Sequence, residues 1–394
     1  MKNTDINNAQ ERGMSSKPKV SIVMPSLNVA KYIRKTLESV TGQTLKEIEI
    51  ICVDAGSTDG TLDIIQEFAD RDKRISIINS DRKSYGYQMN LGFDAAKGEY
   101  LGIVETDDFA DPDMFEKLYE QAVKDDADVV KSGFYYYWSA PEERDIPNPV
   151  ASEIICSRLL NPFQDFKAPM EMADFFNIKP TIWSAVYKAD FIRENDIRFN
   201  ETPGASFQDA SFNFKVFTMA QKVRMMQDCF LHYRQDNESS SINSPGKVFC
   251  VCDEYEEMER FLNDHPEKKG KMEGVRTRLQ FDSYMWNFER LSDPNLQDEF
   301  ISRAAEEYKE EMYKGYIEPK YFPIYKWNTL THIMKDPKQF AVSKRNGRTQ
   351  DFEGSDAGHV GKDKASLSSL FKCIQDHGVA YTFKLGMKKL RKEA

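Results

Sequence analysis

The stretch Tyr100-Leu-Gly-Ile-Val-Glu105-Thr106-Asp107-Asp108-Phe109 is an apolar run that ends in a cluster of carboxylates. The apolar run predicts a buried strand, and three carboxylates follow it within four positions. Neighbouring carboxylates repel one another, so such a cluster favours a bound cation. Oxygen ligands suit Mg²⁺ or Mn²⁺ better than zinc. The alternative is an acidic turn in which Asp108 or Asp111 caps the helix that begins near Pro112.

On both sides of this stretch, short apolar runs alternate with amphipathic segments. We predict strands at residues 20–24, 48–53, 75–78 and 100–104, and a further strand that starts at 129. Helices are predicted at 30–41, from 58 or 59 onward, at 86–96 and at 112–124. This alternation predicts an α/β fold with a mostly parallel central sheet and helices on both faces. Ligands bind beyond the carboxyl ends of such strands, so the polar tips at 25–28, 54–60 and 105–108 should meet at one edge.

The bulk composition excludes several classes of protein. A net charge of −10 argues against general nucleic-acid binding, which needs a broad basic surface. The six cysteines are scattered, with no Cys-x-x-Cys pair, which is typical of a reducing compartment. Residues 1–17 are polar, and the sequence contains no apolar run of about 18 residues. We therefore expect a cytoplasmic protein whose membrane contact, if any, is peripheral, at the inner face of the membrane.

A change of composition divides the chain into predicted units. We expect a disordered tail at 1–17, an α/β domain at 18–245, a helical domain at 246–342, a linker or disordered segment at 343–364 and terminal helices at 365–394. The last segment clusters basic residues (Lys384, Lys388, Lys389, Arg391 and Lys392) beside Phe383, Leu385, Met387 and Leu390. Such a segment either lies on anionic lipid or forms a solvated basic helix end.

Three motifs occur in order within the α/β part. They are Val20–Asn28, Val53–Thr61, and Ala95–Tyr100 followed by Glu105–Asp108. Together they resemble the family 2 glycosyltransferases of the GT-A fold, in particular those of bacterial surface-polysaccharide assembly. The likeness covers residues 18–135 well and extends more loosely to about 245. It implies a Rossmann-like GT-A domain followed by a mainly helical C-terminal region.

The resemblance implies a donor site at the strand tips. Asp54 would receive the base of a nucleotide-sugar, a UDP-sugar above all, and the guanidinium of Arg234 would pair with the diphosphate. The full set of implied donor contacts is Pro25, Asn28, Asp54, Gly56, Tyr85, Asn90, Asp107 and Arg234. The implied ligands of Mn²⁺ or Mg²⁺ are Glu105, Asp107 and Asp108, with His232 as a further candidate.

The acceptor half of the site is implied by the segment 198–212. An inverting transfer needs a base that takes the proton of the acceptor hydroxyl, and Asp209 stands where the family has its acidic pair. The alternative role for Asp209 is the N-cap of the following helix. Trp183 either stacks on a sugar or belongs to the core, and Gln208 is a further candidate for acceptor contact. The acceptor would be a saccharide or a lipid-linked hydroxyl.

Several positions depart from the family pattern. Ala55 and Gln208 stand where acids are common, Leu27 where Tyr is frequent, and Met89 where Arg is frequent. The main hypothesis is an inverting, metal-dependent glycosyltransferase of surface polysaccharide synthesis. The first alternative is a degenerate member that binds nucleotide-sugar or a partner without transfer. The second is another nucleotide-binding enzyme, such as a nucleotidyltransferase, and the lack of a Gly-rich phosphate loop argues against it.

Overall fold

The structure is a computed structural model, and it describes residues 17–237 and 247–346. The predictions for the N-terminal tail up to residue 16, for most of the 343–364 linker and for the terminal helices at 365–394 lie outside the described residues. The described residues belong to one compact unit. The predicted boundary at 245/246 between an α/β domain and a helical domain stays a prediction.

One sheet forms the centre of the described chain. Its strands are β1 Val20–Ser26, β2 Ile48–Asp54, β3 Ile75–Asn79, β4 Tyr100–Ile103, β5 Phe109–Ala110, β6 Val129–Trp138, β7 Arg144–Asn148, β8 Leu159–Leu160, β9 Ala185–Lys188 and β10 Val223–Arg234. The strand order is β3-β2-β1-β4-β9-β6-β10-β5, with β7 beside β6 and β8 beside β10. Strands β3, β2, β1 and β4 are parallel, as predicted, and β9 is antiparallel to both of its neighbours.

Helices cover the sheet and continue beyond it. They are α1 Ile33–Thr41, α2 Thr61–Arg71, α3 Tyr85–Ala95, α4 Met114–Asp125, α5 Glu153–Cys156, α6 Pro162–Asp165, α7 Pro169–Phe176, α8 Ala189–Glu194, α9 Gln208–Met219, α10 Cys250–Asp264, α11 Pro266–Arg290, α12 Pro294–Lys314, α13 Ile324–Lys335 and α14 Pro337–Arg345. This mixed α/β sheet with a helical C-terminal region confirms the predicted fold class. The residues that the structure describes include no helix long and apolar enough to cross a membrane.

Helices α4 and α2 both begin later in the chain than the sequence predicted. Helix α4 begins after Asp113, so neither Asp108 nor Asp111 caps it, and the capping interpretation of the acidic stretch is wrong. Helix α2 begins after Gly60 rather than after Thr58 or Asp59. The carboxylate of Asp59 instead accepts hydrogen bonds from the backbone of Ala30 and Thr61, and this ties the tips of β1 and β2 together.

The helical C-terminal region holds α9, the helix that carries Asp209. Glu254 on α10 is fully buried and accepts hydrogen bonds from Ser211 on α9 and from Asn200, whose Nδ2 lies 3.1 Å away. Lys215 on α9 donates to Glu257 on α10 and, over 2.9 Å, to the carbonyl of Arg198. These contacts fix the orientation of α9 relative to the sheet.

Candidate active site

The acidic stretch forms a turn at the carboxyl end of β4, and the inward face of α1 holds its backbone. The Thr36 hydroxyl, fully buried, lies 2.6 Å from the carbonyl of Asp108 and 3.1 Å from that of Thr106. The Thr106 hydroxyl donates over 2.8 Å to the carbonyl of Pro25 on β1. The turn is therefore locked to the tip of the first strand, as expected for a site at the edge of a parallel sheet.

Asp107 and Asp108 lie beside Arg234, although Arg234 on β10 is distant from them in sequence. The backbone N–H of Arg234 donates to Asp108 Oδ1 over 2.8 Å, and its guanidinium donates to the carbonyl of Asp107 over 2.9 Å. Asn237 donates to Asp107 Oδ2 over 2.8 Å. Burial, with the charge of Asp107 next, raises the pKa of Asp108 well above its usual range. This concentration of buried negative charge is unfavourable unless a cation is bound.

The carboxylates fit a divalent cation. Asp108 Oδ2 is buried and has no hydrogen-bond partner among the described residues, so one ligand oxygen is open. Within 17–237 and 247–346, no three acidic, His or Cys side chains converge on one point. Mg²⁺ and ions like it are commonly held by one or two carboxylates together with substrate phosphates. Asp107 and Asp108 would supply such a pair, and the phosphates of a substrate would provide further ligands.

Glu105, the third acid, contacts Tyr85 on α3. The Tyr85 hydroxyl donates to Glu105 Oε1 over 2.5 Å, so one oxygen of this carboxylate is already used. Burial raises the pKa of Glu105 to about 8; the Tyr85 hydrogen bond opposes the rise, and the charges of Asp107 and Asp209 add to it. The charge of Asp209 acts on both Glu105 and Tyr85, so this pair lies near the proposed base. Their predicted metal and donor contacts stay predictions.

The turn after β2 is organised around Asp54, which is 1% exposed. Its Oδ1 accepts from the backbone N–H of Gly56 (2.9 Å) and Ser57 (2.8 Å), and its Oδ2 accepts from the hydroxyls of Ser26 (3.1 Å) and Ser57. Gly56 has a φ of 81°, a left-handed conformation that glycine adopts without strain. Asn28 accepts from the N–H of Thr58 over 2.9 Å and joins this turn to β1. The structure thus gives Asp54 the role of holding the turn, and its contact with a base stays a prediction.

Asn90 and Gln208 were predicted to contact the substrates, and their side-chain amides are hydrogen-bonded to other parts of the protein. Asn90, 2% exposed, bonds the backbone of Phe199 through both its oxygen and its nitrogen and also donates to Glu201 over 3.0 Å. Gln208, equally buried, accepts from the N–H of Ser206 and donates to Thr202 over 2.9 Å. Both amides are thus hydrogen-bonded within the protein, and the predicted contacts of Asn90 with the donor and of Gln208 with the acceptor stay predictions.

His232, predicted as a further metal ligand, has both ring nitrogens in contact with carboxylates, and its metal role stays a prediction. Its Nδ1 lies 2.7 Å from Asp145 Oδ1 and its Nε2 lies 3.1 Å from Asp111 Oδ1, while its ring stacks on Phe109 at 4.3 Å between centroids. A metal ligand needs the lone pair of one ring nitrogen, and here both nitrogens contact carboxylates. The structure therefore gives His232 a bridging role between β10 and the segment after β5.

Asp209 lies in the first turn of α9, and the N-cap is Phe207, so the capping interpretation is wrong. The carboxylate has no hydrogen bond to another side chain among the described residues, and it lies near the backbone N–H groups at the helix start. Burial raises the pKa of Asp209 to about 6, while these N–H groups and the charges of Lys179 and Lys131 oppose the rise. A half-buried carboxylate with this pKa is suited to accept a proton near neutral pH.

Several residues of the site were missed in the sequence. Tyr233 is near the carboxylates of both halves: burial raises the pKa of its hydroxyl, and the charges of Asp108, Asp107 and Asp209 all add to that rise. Lys131 is 1% exposed and donates to the hydroxyls of Thr181 (2.7 Å) and Ser184 (3.1 Å). Trp183, between those two residues, is 7% exposed and packs on Phe134 and Tyr233 at 5.0 and 5.1 Å, so most of its ring belongs to the core.

The sequence matches the family model described as Glycosyl transferase family 2 over residues 21–217, which is half of the chain. The chain therefore belongs to glycosyl transferase family 2. Its matched region contains both the acidic turn and Asp209.

Curated relatives and a solved structure agree with this assignment. The chain is 30% identical over 228 residues to the uncharacterized glycosyltransferase EpsJ of Bacillus subtilis, across 56% of this chain and 62% of EpsJ. It is 28% identical over 229 residues to glycosyltransferase GlyG of Streptococcus pneumoniae, across 56% of this chain and 72% of GlyG. The match thus spans about three fifths of EpsJ. S. aureus TarS 1–349 superposes with a TM-score of 0.60 at 16% identity, over 88% of this chain and 100% of that chain, which shows a shared GT-A fold.

Proposed function

We propose that this glycosyltransferase is inverting and metal-dependent, and that it moves a sugar from a nucleotide-diphosphate-sugar to a hydroxyl of a saccharide or lipid-linked acceptor. The observation that carries the proposal is that Arg234 is bonded to the turn of Asp107 and Asp108, while the charges of Asp107, Asp108 and Asp209 all act on the hydroxyl of Tyr233. The turn with Arg234 suits a diphosphate and its cation, and Asp209 suits an acceptor hydroxyl.

On the donor side, Asp107 and Asp108 would hold Mn²⁺ or Mg²⁺ against the diphosphate. The bound ion would neutralise charge on the leaving diphosphate. The guanidinium of Arg234 lies 4.8 Å from the ring centroid of Tyr32 and 4.9 Å from that of Tyr137, and this packing restricts its orientation. A guanidinium restricted in this way binds an oxyanion with little further loss of conformational freedom.

On the acceptor side, Asp209 takes the proton of the attacking hydroxyl. The hydroxyl oxygen forms a bond to the anomeric carbon while the bond from that carbon to the diphosphate oxygen breaks, and the nucleoside diphosphate leaves with the bonding pair. Attack from the face opposite the leaving group inverts the anomeric configuration. No covalent intermediate with the protein is needed.

A UDP-sugar is the donor we favour, and surface polysaccharide synthesis is the context. S. aureus TarS 1–349, which shares the fold, has been solved in complex with UDP-GlcNAc. A shorter region of the chain is 37% identical over 108 residues to the chondroitin synthase of Escherichia coli. Recognition of the nucleotide base would depend on the turn at Asp54, whose carboxylate accepts hydrogen bonds from the hydroxyls of Ser26 and Ser57.

The test is release of nucleoside diphosphate from a panel of UDP- and GDP-sugars, with Mn²⁺ and with EDTA. We expect turnover of at least one donor, lost in EDTA and lost in the double variant Asp107→Asn/Asp108→Asn. Turnover that survives in that variant would contradict the metal site. Donor binding without hydrolysis or transfer to any acceptor would instead support the degenerate, non-catalytic alternative.

A further inference from the structure

An aromatic wall lies beside Asp209, formed by Phe134 and Tyr136 on β6, Trp183 before β9 and Tyr233 on β10. Tyr136 and Tyr233 are register partners in the parallel pair of β6 and β10, so both rings lie on the same face of the sheet. Their centroids are 6.4 Å apart, and Phe134 lies 5.0 Å from both Tyr136 and Trp183. Phe134 and Trp183 are buried, while Tyr136 and Tyr233 keep exposed surface. Partly exposed rings of this kind stack on the C–H faces of sugars.

Lys179 places a positive charge on this wall. Its Nζ lies 2.9 Å from the hydroxyl of Tyr136, and 4.6 and 5.3 Å from the ring centroids of Tyr136 and Tyr233. Lys179 is exposed, and in the part of the chain that the structure describes no carboxylate lies within salt-bridge distance of it. The charge of Lys179 acts on Asp209 and opposes the rise of its pKa, so the ammonium lies near the proposed base.

We propose that Lys179, with the exposed faces of Tyr136 and Tyr233, forms an acceptor subsite for a saccharide that carries an anionic group, either a phosphate or a carboxylate. This subsite rests on the proposed function, because Asp209 is the group that would act on the acceptor. The rings bind the sugar face, and the ammonium binds the anion as a compact point charge. A neutral acceptor would leave the ammonium of Lys179 without an anionic group of the acceptor to pair with.

The subsite also couples acceptor binding to the base. An anion paired with Lys179 compensates the positive charge that opposes proton uptake by Asp209. Proton affinity at Asp209 is therefore greatest when the anionic acceptor is in place. Nearby Lys131 is buried and directed to Thr181 and Ser184, so Lys179 is the lysine of the pair that is accessible to a ligand.

The test is a binding measurement on the full chain saturated with UDP and Mn²⁺. Ligand-detected NMR would give Kd values for glucose 6-phosphate, glucuronate and glucose, with inorganic phosphate as competitor. We expect both anionic sugars to bind about tenfold more tightly than glucose and more tightly than phosphate alone. The preference should be lost in Lys179→Gln and kept in Lys179→Arg. Lys338→Gln, a charge removed from an exposed lysine on α14, is the matched control and should keep it.

The outcomes separate this inference from the proposed function. A chain that binds no UDP contradicts the proposed function and the subsite with it. UDP binding with equal affinity for glucose and both anionic sugars contradicts the subsite alone. An anion preference that persists in Lys179→Gln also contradicts it. If only one of the two anionic sugars shows a preference that depends on Lys179, the subsite is supported. Its ligand then carries that kind of anionic group, phosphate or carboxylate.

Discussion

At the scale of single residues, Asp209 is the position on which the proposed chemistry depends. The sequence offered two roles for it, and the structure removes one, because the N-cap of α9 is Phe207. Burial raises the pKa of both Glu105 and Tyr85, and the charge of Asp209 adds to the rise in each. A general base typically contributes a factor of about 10² to 10⁴ to the rate.

Asp209→Asn should therefore lower the rate of transfer by about 10² to 10⁴-fold while UDP binding stays near the wild-type value. The amide keeps the size of the carboxylate but cannot accept the proton. Transfer rates and calorimetric titration with UDP measure the two quantities. Loss of the cooperative thermal unfolding transition in this variant would show a structural role instead.

The pH dependence of transfer provides a second test at the same residue. Burial raises the pKa of Asp209 to about 6, and the base acts only when deprotonated, so the rate should rise as pH increases through about 6 and level off above it. Rates at saturating donor and limiting acceptor, between about pH 5 and about pH 8, measure this, because they report the ionisation of Asp209 before the acceptor binds. A rate that is constant across that interval would contradict the assignment of Asp209 as the base.

At the scale of elements, α1 is the helix that positions the acidic turn. Thr36→Val removes the hydroxyl that donates to the carbonyls of Asp108 and Thr106. Both carbonyls then stay buried without this hydrogen-bond donor. We expect a loss of about 1–3 kcal/mol in the free energy of unfolding, with weaker Mn²⁺-dependent turnover. Thr41→Val on the same helix is the control, because its hydroxyl bonds only carbonyls of its own helix. Equal effects of the two substitutions would contradict a specific role for Thr36.

Gly56 in the turn after β2 and Gly270 in α11 form a matched pair, since a Cβ added at either position meets no neighbour. Gly56→Ala forces a side chain into a φ of 81° and should cost about 1–2 kcal/mol in the free energy of unfolding, although no neighbour blocks the new Cβ. Gly270→Ala, with equally open space inside α11, should stabilise the protein by about 0.5–1 kcal/mol. Urea denaturation measures both. A stabilising Gly56→Ala would show that this turn does not need the left-handed conformation.

The strands that could be predicted from the sequence are those marked by a run of adjacent apolar residues. The apolar runs of β1, β2 and β4 are nearly continuous, because strands buried on both faces need no polar alternation. Strands β5, β7 and β8 were missed, since they are short or partly exposed and depend on pairing with distant strands. The same holds within the site: Glu105 to Asp108 are adjacent in sequence, whereas Tyr233 and Lys131 join them only through the pairing of β6 with β10 and β9.

At the scale of the whole molecule, the helical region supports the site through α9. Its core contains Arg276, 1% exposed, which donates to Glu273 over 2.7 Å and to Glu311 over 2.5 Å. Removal of one partner from such a buried set leaves carboxylates unpaired. The contacts of Glu254 and Lys215 then transmit any loosening of α10 to α9.

Arg276→Met should therefore lower the free energy of unfolding by about 3–5 kcal/mol. Because the helical region holds α9, we expect tryptophan fluorescence and UDP binding to be lost in one urea transition, in both the variant and the wild type. Two separate transitions would support independent domains with a boundary near 245/246 and contradict the coupling.

The central claim is that the acidic turn and Asp209 form one site for inverting sugar transfer. The most direct measurement follows the anomeric protons by NMR while the chain turns over a UDP-sugar with Mn²⁺ and an acceptor. We expect release of UDP and a first-formed product of inverted anomeric configuration, with neither seen in EDTA. A product of retained configuration, or turnover undiminished in EDTA, would contradict it.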